Sequence, residues 1–423
     1  MNHEPSIHIC ILGGGFGGLY TALYLQRFRL FKSPKYKYKI TLIDRKDHLV
    51  FTPLLYERVT EELQAWEIAP RYQNLIRNTT IDFCQGNIQA VDLEKRQVKL
   101  QLETLSELGQ NLKILNYDYL VLAVGAEMRL EGVPGAAKYA YPFRTVTDAE
   151  HLNQQLNQLE QSNLPQIRIA VIGAGPSGVE LACKLSDRLQ ERGQVRLIER
   201  GQQLLKTFTP YSQKSAYRAL TARRVQMDFV TSVEAIESDQ ITLINQNGKT
   251  LMPVDLVLWT VGTRSIEWVR HLPCQQNPQG KILTHPTLQV VDYPEVLALG
   301  DMAEIQDYPG QLPKTAQVAY QQADCAAKNL YRAVRRKRLK PFRYLHLGEM
   351  LTLGKGEAVV SSFALKISGR LAGMIRQFVY LQRLPTLRHR LRVLQHWVGQ
   401  WLVNLRRQLA QLFWKRRRRK TVR

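Results

Sequence analysis

The chain has 423 residues, a hydrophobic content of 44% and a formal net charge of +23. This length allows a sizeable buried core and predicts two or three globular domains. The five cysteines, at positions 10, 84, 183, 274 and 325, are scattered, which excludes a disulfide framework, a neighbouring redox dithiol and a metal-like spacing. We expect the first strand to begin by about Ile7, which leaves no room for a cleaved export leader.

The first predicted element is a buried parallel strand, residues 7–12, which runs directly into a glycine-rich turn and a helix. Gly13, Gly15 and Gly18 have the G-x-G-x-x-G spacing of dinucleotide-binding turns. In such turns the first glycine permits the tight turn, the second lets the backbone approach pyrophosphate, and the third packs helix on strand. A glycine-rich turn without a ligand is the alternative.

A second apolar strand is predicted over residues 39–43, and Asp44 stands at its end. A carboxylate in this position can accept hydrogen bonds from the two hydroxyls of a ribose. The interval from Gly13 is longer than the usual figure of about 20 residues, and the basic segment 29–39 accounts for the excess as an insertion.

The same fingerprint occurs again at Gly173, Gly175 and Gly178, after the apolar run that begins at residue 167. Its acidic partner is Glu199, which favours an unphosphorylated ribose because a 2′-phosphate would bring like charges together. The neighbouring Arg200 weakens that preference. Two nucleotide-binding units predict two nucleotides, one that donates electrons and one that accepts them, and NAD(P)H with FAD is the commonest pair.

The excess positive charge is confined to two stretches. Residues 331–343 contain seven Lys or Arg, and residues 358–423 contain sixteen and no Asp or Glu. Such a localised basic face favours an anionic surface, either lipid headgroups or nucleic acid.

The carboxyl-terminal part of that basic region has apolar residues at helical spacing. These residues are Leu391, Leu394, Trp397, Val398, Trp401, Leu402, Leu405, Leu409, Leu412 and Phe413. Arg388, Arg392, Arg406 and Arg407 fall mostly between them. The pattern predicts a helix that lies in the headgroup region without spanning the bilayer. A helix packed on the protein's own body is the alternative, and the apolar stripe argues against nucleic acid.

From about Ile7 to about Leu347, the chain resembles the type II NAD(P)H:quinone oxidoreductases, two-dinucleotide flavoproteins that dock on membranes. Beyond the two fingerprints, five segments carry the resemblance: 48–57, 120–126, 256–264, 296–303 and 312–323. The resemblance implies FAD as cofactor and NADH or NADPH as substrate.

Several cofactor contacts follow from the same resemblance. Pro53 and Leu54 would lie nearest the flavin ring, and Gly262 falls in a segment that closes a nucleotide domain. Asp301 would bind the ribityl or pyrophosphate part of FAD, with a helix N-cap as the alternative. Ala316, with two further alanines along its helix, would let a flat ring approach.

Three catalytic candidates follow as well. Gln317 and Gln321 are four residues apart, so a helix would place both amides on one face, where they could donate to quinone carbonyls. A solvated face is the alternative. In the resembling family Glu180 would sit near the flavin and relay protons, and a first-turn glutamate that stabilises the helix dipole is the alternative.

A narrower branch is suggested by residues 54–76, in which Trp66 and Glu67 replace the smaller residues of respiratory members. This segment resembles the cyanobacterial and plastid group that reduces demethylphylloquinone. The expected reaction is non-pumping hydride transfer from NAD(P)H through FAD to a membrane naphthoquinone. The alternatives are a respiratory-type reductase of plastoquinone or ubiquinone, a reductase of a protein carrier or oxygen, and a slowly turning membrane-associated redox sensor.

The expected fold is therefore α/β, with two Rossmann-like dinucleotide-binding domains and a basic carboxyl-terminal membrane-association region. We assign residues 1–149 and 276–345 to the FAD domain, 150–275 to the NAD(P)H domain and 346–423 to the membrane region. The expected partners are a quinone and an anionic membrane surface, with no nucleic acid and no metal, and a homodimer is left open. We expect a peripheral location on the cytoplasmic or stromal face of a plasma or thylakoid membrane.

Overall fold

The computed structural model describes residues 7–28, 38–102 and 111–402. Most of the basic segment 29–39 lies outside these ranges. The predicted helical positions 405, 409, 412 and 413, with the arginines at 406 and 407, also lie outside the described residues.

The first nucleotide unit is built on an eight-stranded sheet. In spatial order its strands are Ala303–Ile305, Ile282–Thr284, Gln289–Val290, Tyr293–Ala298, Tyr119–Leu122, Ile7–Leu12, Tyr38–Asp44 and Ile81–Gln85. The last five pair in parallel, so their carboxyl ends meet at one edge, where ligands bind in open α/β sheets. The two strands predicted at the amino terminus are confirmed.

The second unit is a five-stranded parallel sheet. Its strands, in spatial order, are Gln226–Asp228, Gly193–Ile198, Ile167–Ile172, Leu256–Trp259 and Ala140–Pro142. The last of these precedes residue 150 in the chain. The short antiparallel pair Glu127–Met128 and Thr263–Arg264 joins the connections between the two units.

Three smaller antiparallel sheets complete the strands. They comprise Asn87–Asp92, Gln97–Gln101 and Leu112–Asn116; Ser232–Ile236, Gln240–Asn245 and Gly248–Pro253; and Glu349–Thr352, Ala358–Ser361 and Lys366–Gly369. In the described part of the chain, α-helices cover Phe16–Leu25, Ala65–Ile68, Tyr72–Ile76, Ala136–Tyr139, Val146–Gln161, Pro176–Leu189, Pro210–Ala222, Glu267–Arg270, Ala316–Val334 and Arg370–Arg383. Short 3₁₀ helices cover Thr52–Arg58, Gln190–Arg192 and Gly300–Met302.

Four helices position the site, and we name them by their features. The first fingerprint helix (Phe16–Leu25) packs along the glutamine helix (Ala316–Val334), where the Tyr20 and Tyr320 rings lie 4.5 Å apart. The second fingerprint helix (Pro176–Leu189) follows the strand Ile167–Ile172. The arginine helix is Arg370–Arg383. The predicted membrane region is therefore more than a tail, since it begins with a three-stranded sheet and the arginine helix.

A further helix, the C-terminal helix, continues through residues 387–402. Its Val393 is buried in the core that also contains Leu54 and Val179. Within the described residues, no helix is both long enough and apolar enough to cross a membrane.

Candidate functional site

The first fingerprint forms the tight turn that its glycines require. Gly13 has φ +95°, a conformation that L side chains rarely adopt, and its N–H donates to the Ile43 carbonyl at 2.8 Å. A Cβ at Gly18 would lie 1.8 Å from the Gly13 carbonyl oxygen. Both positions therefore accept only glycine, so that the helix can start directly against the strand.

The second fingerprint repeats this geometry. Gly173 has φ +104° and donates to the Ile198 carbonyl at 2.7 Å, and a Cβ at Gly178 would again lie 1.8 Å from the carbonyl oxygen of the first glycine. The two turns therefore match in conformation as well as in spacing.

The two acidic partners occupy equivalent places. Asp44 Oδ2 accepts from the Gly14 N–H at 2.6 Å, and Glu199 Oε2 accepts from the Ala174 N–H at 2.8 Å. Their other oxygens accept from the backbone N–H of Lys46 and Gly201. Each carboxylate is thereby held at the mouth of its turn, and carboxylate oxygens have further lone pairs for ribose hydroxyls.

The carboxyl edge of the first sheet is open. A Cβ built at Gly15, Gly125 or Gly300 would meet no described heavy atom within 4 Å, and the same is true of Gly175 in the second unit. Gly15 and Gly175 are the N-caps of the two fingerprint helices, and among the described residues no side chain caps either helix. The unpaired first-turn N–H groups and the positive end of each helix dipole suit a pyrophosphate, so the chain fits two dinucleotides.

Asp301 lies at this open edge, in the 3₁₀ helix Gly300–Met302. That helix has Leu299 as its N-cap, so the N-cap alternative for Asp301 is wrong. Arg144 Nη2 lies 3.6 Å from Asp301 Oδ2, and the buried Gln322 accepts from the Gly300 N–H through Oε1 at 2.7 Å. Arg144 and Gln322 were missed from the sequence; only the double glutamine at 321 and 322 could have drawn attention to the second.

The side-chain amides of Gln317 and Gln321, on the glutamine helix, are both hydrogen-bonded to the segment 344–348. Gln317 Oε1 accepts from the Tyr344 hydroxyl at 2.7 Å and from the Leu347 N–H at 3.0 Å, and its Nε2 reaches the Gly348 carbonyl at 3.3 Å. Gln321 makes two bonds to the Leu345 backbone, at 2.8 and 2.9 Å. Each amide is therefore bonded to the protein, although both side chains stay partly exposed. Donation to a quinone stays a prediction. The second Nε2 hydrogen of each amide would be the donor, since the first is used in the bond to the backbone.

Ala316 and Gly262 occupy the ends of their elements. Ala316 is the first residue of the glutamine helix, after the N-cap Thr315, whose hydroxyl accepts from the Val318 N–H. Gly262 has φ +76°, and its carbonyl accepts from the Arg129 N–H at 3.2 Å, at the junction between the two nucleotide units. Cofactor contact at both positions stays a prediction.

Glu180 lies in the second turn of the second fingerprint helix and is 5% exposed. Its Oε1 accepts from the Thr352 N–H at 2.9 Å and lies 3.5 Å from Arg376 Nη2. The helix has no acidic residue in its first turn, so the helix-dipole alternative is wrong.

Arg376, on the arginine helix, connects Glu180 to the segment predicted to pass the flavin. Its Nη1 is hydrogen-bonded to Glu57, and its Nη2 donates to the Pro53 carbonyl at 2.6 Å. Arg376 is 2% exposed, and Glu57 Oε2 and Arg376 Nε are buried without a hydrogen-bond partner in the described part of the chain. Neither Glu57 nor Arg376 was predicted from the sequence, although an arginine directly after the small and apolar run 371–375 was a signal.

Glu180 and Glu57, which share the Arg376 guanidinium, differ in pKa. Burial raises the pKa of Glu180 to about 8, although Arg376 and the Thr352 N–H oppose the rise. Burial would also raise the pKa of Glu57, but Arg376 and Lys184 outweigh it and hold that pKa below its ordinary value. Near neutral pH, one carboxyl is therefore protonated and the other is ionised.

The segment 52–58 touches the second fingerprint helix directly. The Tyr56 hydroxyl donates to Ser177 Oγ at 2.8 Å, and Leu54 is buried in the core beside Val179 of that helix. The structure thus brings the predicted flavin-side segment against the first turns of the predicted nicotinamide-side helix. Contact of Pro53 and Leu54 with a flavin ring stays a prediction.

Comparison with known proteins identifies oxidoreductases of pyridine nucleotides as relatives of this chain. Residues 7–323 match the family model described as pyridine nucleotide-disulphide oxidoreductase. Demethylphylloquinone reductase NdbB of Synechocystis sp. is 43% identical over 401 residues, which cover 94% of this chain and 98% of the relative. Alternative NAD(P)H-ubiquinone oxidoreductase C1 of Arabidopsis thaliana is 37% identical over 433 residues, with 95% and 82% covered.

Solved structures show the same fold. NDH2 from Plasmodium falciparum in complex with NADH matches with a TM-score of 0.79 at 19% identity, over 92% of this chain and 96% of that chain. The sulfide:quinone oxidoreductase of Aquifex aeolicus matches with a TM-score of 0.74 at 20% identity, over 90% and 91%.

Proposed function

The chain belongs to the pyridine nucleotide-disulphide oxidoreductase family and, within it, to the type II NAD(P)H:quinone oxidoreductases, and we propose that it reduces a membrane naphthoquinone with NAD(P)H. FAD, held at the first dinucleotide turn, would supply the two-electron chemistry that links NAD(P)H to the quinone. The relative with 43% identity is a demethylphylloquinone reductase, so demethylphylloquinone is the proposed acceptor. Plastoquinone and ubiquinone are the respiratory alternatives.

One observation carries the proposal: the segment predicted to pass the flavin is in buried contact with the helix of the second dinucleotide turn. The segment 52–58 meets the second fingerprint helix at Tyr56 and Ser177 and through Glu57, Arg376 and Glu180. In the proposed function Gly13, Gly15, Gly18, Asp44 and Asp301 would hold FAD. The turn that contains Gly173 and Glu199 would hold NAD(P)H.

Glu180 has the surroundings of a proton store for quinone reduction. Its Oε1 receives the Thr352 N–H and faces Arg376, so the proton belongs on Oε2. With a pKa of about 8, the group is protonated at neutral pH and can still release the proton, which suits general acid catalysis. In this proposal Gln317 and Gln321 orient the quinone.

Two helices support peripheral attachment to a membrane. The arginine helix exposes Leu371, Met374 and Phe378 along one face, and Phe378 is 62% exposed. The C-terminal helix exposes Leu387, Leu391, Leu394, Val398, Trp401 and Leu402. Apolar faces of this kind, next to the basic segments, suit the boundary between anionic headgroups and acyl chains. The quinone would then enter from the bilayer, and NAD(P)H from the cytoplasmic or stromal side.

The function is tested by following the bound flavin in two half-reactions. NADH or NADPH should bleach the oxidised flavin, and a naphthoquinone should restore its colour faster than a benzoquinone of equal chain length. Bleaching without reoxidation by any quinone would refute the reductase and favour a redox sensor. Faster reoxidation by the benzoquinone would favour the respiratory alternative.

A further inference from the structure

The C-terminal helix docks on the protein in an unusual orientation. Surface helices normally bury their apolar stripe and expose their polar face. Here the side chains turned inward include His389, His396 and Trp397, whereas Leu391 and Trp401 on the opposite side are exposed. Val393 and Trp397 also turn inward, but most apolar side chains in the described part of this helix stay exposed, so a specific polar interaction contributes to the rotation observed.

That interaction is centred on Glu67, which is 1% exposed. Its Oε1 accepts from Trp397 Nε1 at 2.7 Å and lies 3.0 Å from His396 Nδ1. Its Oε2 accepts from the Gln64 N–H at 2.5 Å, and its backbone carbonyl lies 2.8 Å from His389 Nε2. A buried carboxylate needs such donors, and the C-terminal helix supplies most of them.

The protonation of the two histidines agrees with this arrangement. A carbonyl can only accept, so His389 carries its proton on Nε2, and burial lowers its pKa and keeps it neutral near pH 7. His396 donates from Nδ1 to the carboxylate, which leaves its Nε2 to accept from Gln400 at 3.2 Å.

Trp66 supplies a second, aromatic contact to the same side of the helix. The His396 ring centroid lies 5.3 Å from that of Trp66, and the Arg392 guanidinium lies 4.7 Å from the ring centroid. Positions 389, 392, 396 and 397 recur at helical spacing. Trp66 and Glu67 therefore contact a single face of the C-terminal helix, and these contacts fix the rotation of the helix about its axis.

The docking site is coupled to the predicted flavin-side segment. The Phe51 N–H donates to the Ile68 carbonyl at 2.8 Å, and the Leu49 N–H donates to the Pro70 carbonyl at 3.1 Å. These main-chain bonds fix the short helix that carries Glu67 to the body of the protein, so the C-terminal helix is held by an anchored site.

We propose that Trp66 and Glu67 form a clamp that holds the C-terminal helix with its apolar stripe facing lipid acyl chains, and that they are positioning residues for delivery of a lipophilic quinone. The inference rests on the proposed quinone reductase function. It also assigns a role to the Trp66–Glu67 pair, on which the expected demethylphylloquinone branch rested.

The test compares Glu67→Gln, Trp397→Phe and the double variant, each as full-length, FAD-loaded protein. Gln395→Ala, at an exposed position on the same helix, is the matched control. Amide hydrogen exchange reports docking of residues 387–402. Steady-state kinetics report the KM of a long-chain naphthoquinone in vesicles containing phosphatidylglycerol, and the KM of a short, water-soluble naphthoquinone.

Trp397→Phe removes a hydrogen bond to the buried carboxylate, and Glu67→Gln removes the negative charge that accepts the hydrogen bonds. In both variants, amide hydrogen exchange in residues 387–402 should accelerate about ten- to a hundredfold. In the double variant the KM of the long-chain quinone should rise about tenfold, as the docked population falls. Flavin bleaching by NADH and the kinetics with the short quinone should match those of the control, a split that general destabilisation would not produce.

Unchanged exchange in all three variants would refute the clamp. Faster exchange with an unchanged KM for the long-chain quinone would refute the positioning role. If the unsubstituted protein neither binds the vesicles nor reduces a quinone, the proposed function fails, whereas hydrogen exchange would still decide whether the clamp exists.

Discussion

Replacing Glu57 by glutamine should move the protonation of a different residue, Glu180. In the native protein Arg376 is hydrogen-bonded to Glu57 and lies 3.5 Å from Glu180 Oε1, so its positive charge is largely compensated by Glu57. The variant keeps the size of the side chain and removes the compensating charge. Arg376 then attracts a proton-free Glu180 more strongly.

The magnitude follows from this separation. Opposite charges about 4 Å apart attract each other by about 4 kcal/mol at an effective dielectric constant of about 20. One pH unit corresponds to about 1.4 kcal/mol, and cations at this range lower carboxyl pKa values by about one to three units. The pKa of Glu180, raised by burial to about 8, should therefore fall to about 5 to 7 in Glu57→Gln.

The shift in the pKa of Glu180 can be measured by stopped flow. The assay follows the rate at which a naphthoquinone reoxidises the NADH-reduced protein, as a function of pH. If protonated Glu180 supplies the proton, the rate falls as pH rises through its pKa, near pH 8 in the native protein. In Glu57→Gln the fall should occur about one to three pH units lower. Glu61→Gln, an exposed carboxylate on the same stretch of chain, should leave the profile unchanged. A profile that stays in place, or moves to higher pH, would refute the electrostatic reasoning.

Other expectations concern single residues. Arg376→Ala should lower the free energy of unfolding by about 3–5 kcal/mol, because it leaves the buried Glu57 carboxylate without its hydrogen-bonded cation; chemical denaturation measures this, and a loss below about 1 kcal/mol would contradict it. Gly18→Ala should give protein that does not retain FAD, since the new Cβ would lie 1.8 Å from the Gly13 carbonyl oxygen; a yellow, fully loaded variant would show that the turn can relax. Glu199→Gln should raise kcat/KM for NADPH relative to NADH about tenfold by removing like-charge repulsion from a 2′-phosphate, and an unchanged ratio would exclude Glu199 from ribose recognition. Gln317→Ala should raise the KM of the quinone and not that of NADH, and equal effects on both would indicate a structural role only.

The dinucleotide turns were predictable because all their determinants are local. A strand, a turn and a helix start fit into about twelve residues, and only glycine satisfies the positive φ at Gly13 and Gly173. The ends of the next strands then place Asp44 and Glu199 beside those turns, since parallel pairing sets the register. Spacing therefore identified these residues without knowledge of the remaining fold.

Long-range pairing was decided by the tertiary structure alone. Arg376 reaches Glu57 across 319 residues and Glu180 across 196 residues, and no spacing rule relates such positions. Periodicity placed Trp397 in the apolar stripe of the C-terminal helix, whereas its indole N–H turns inward to Glu67. Helical spacing determines which side chains share a face. Which face turns inward depends on the donors and acceptors buried beneath it, and these are brought together only when distant segments pack.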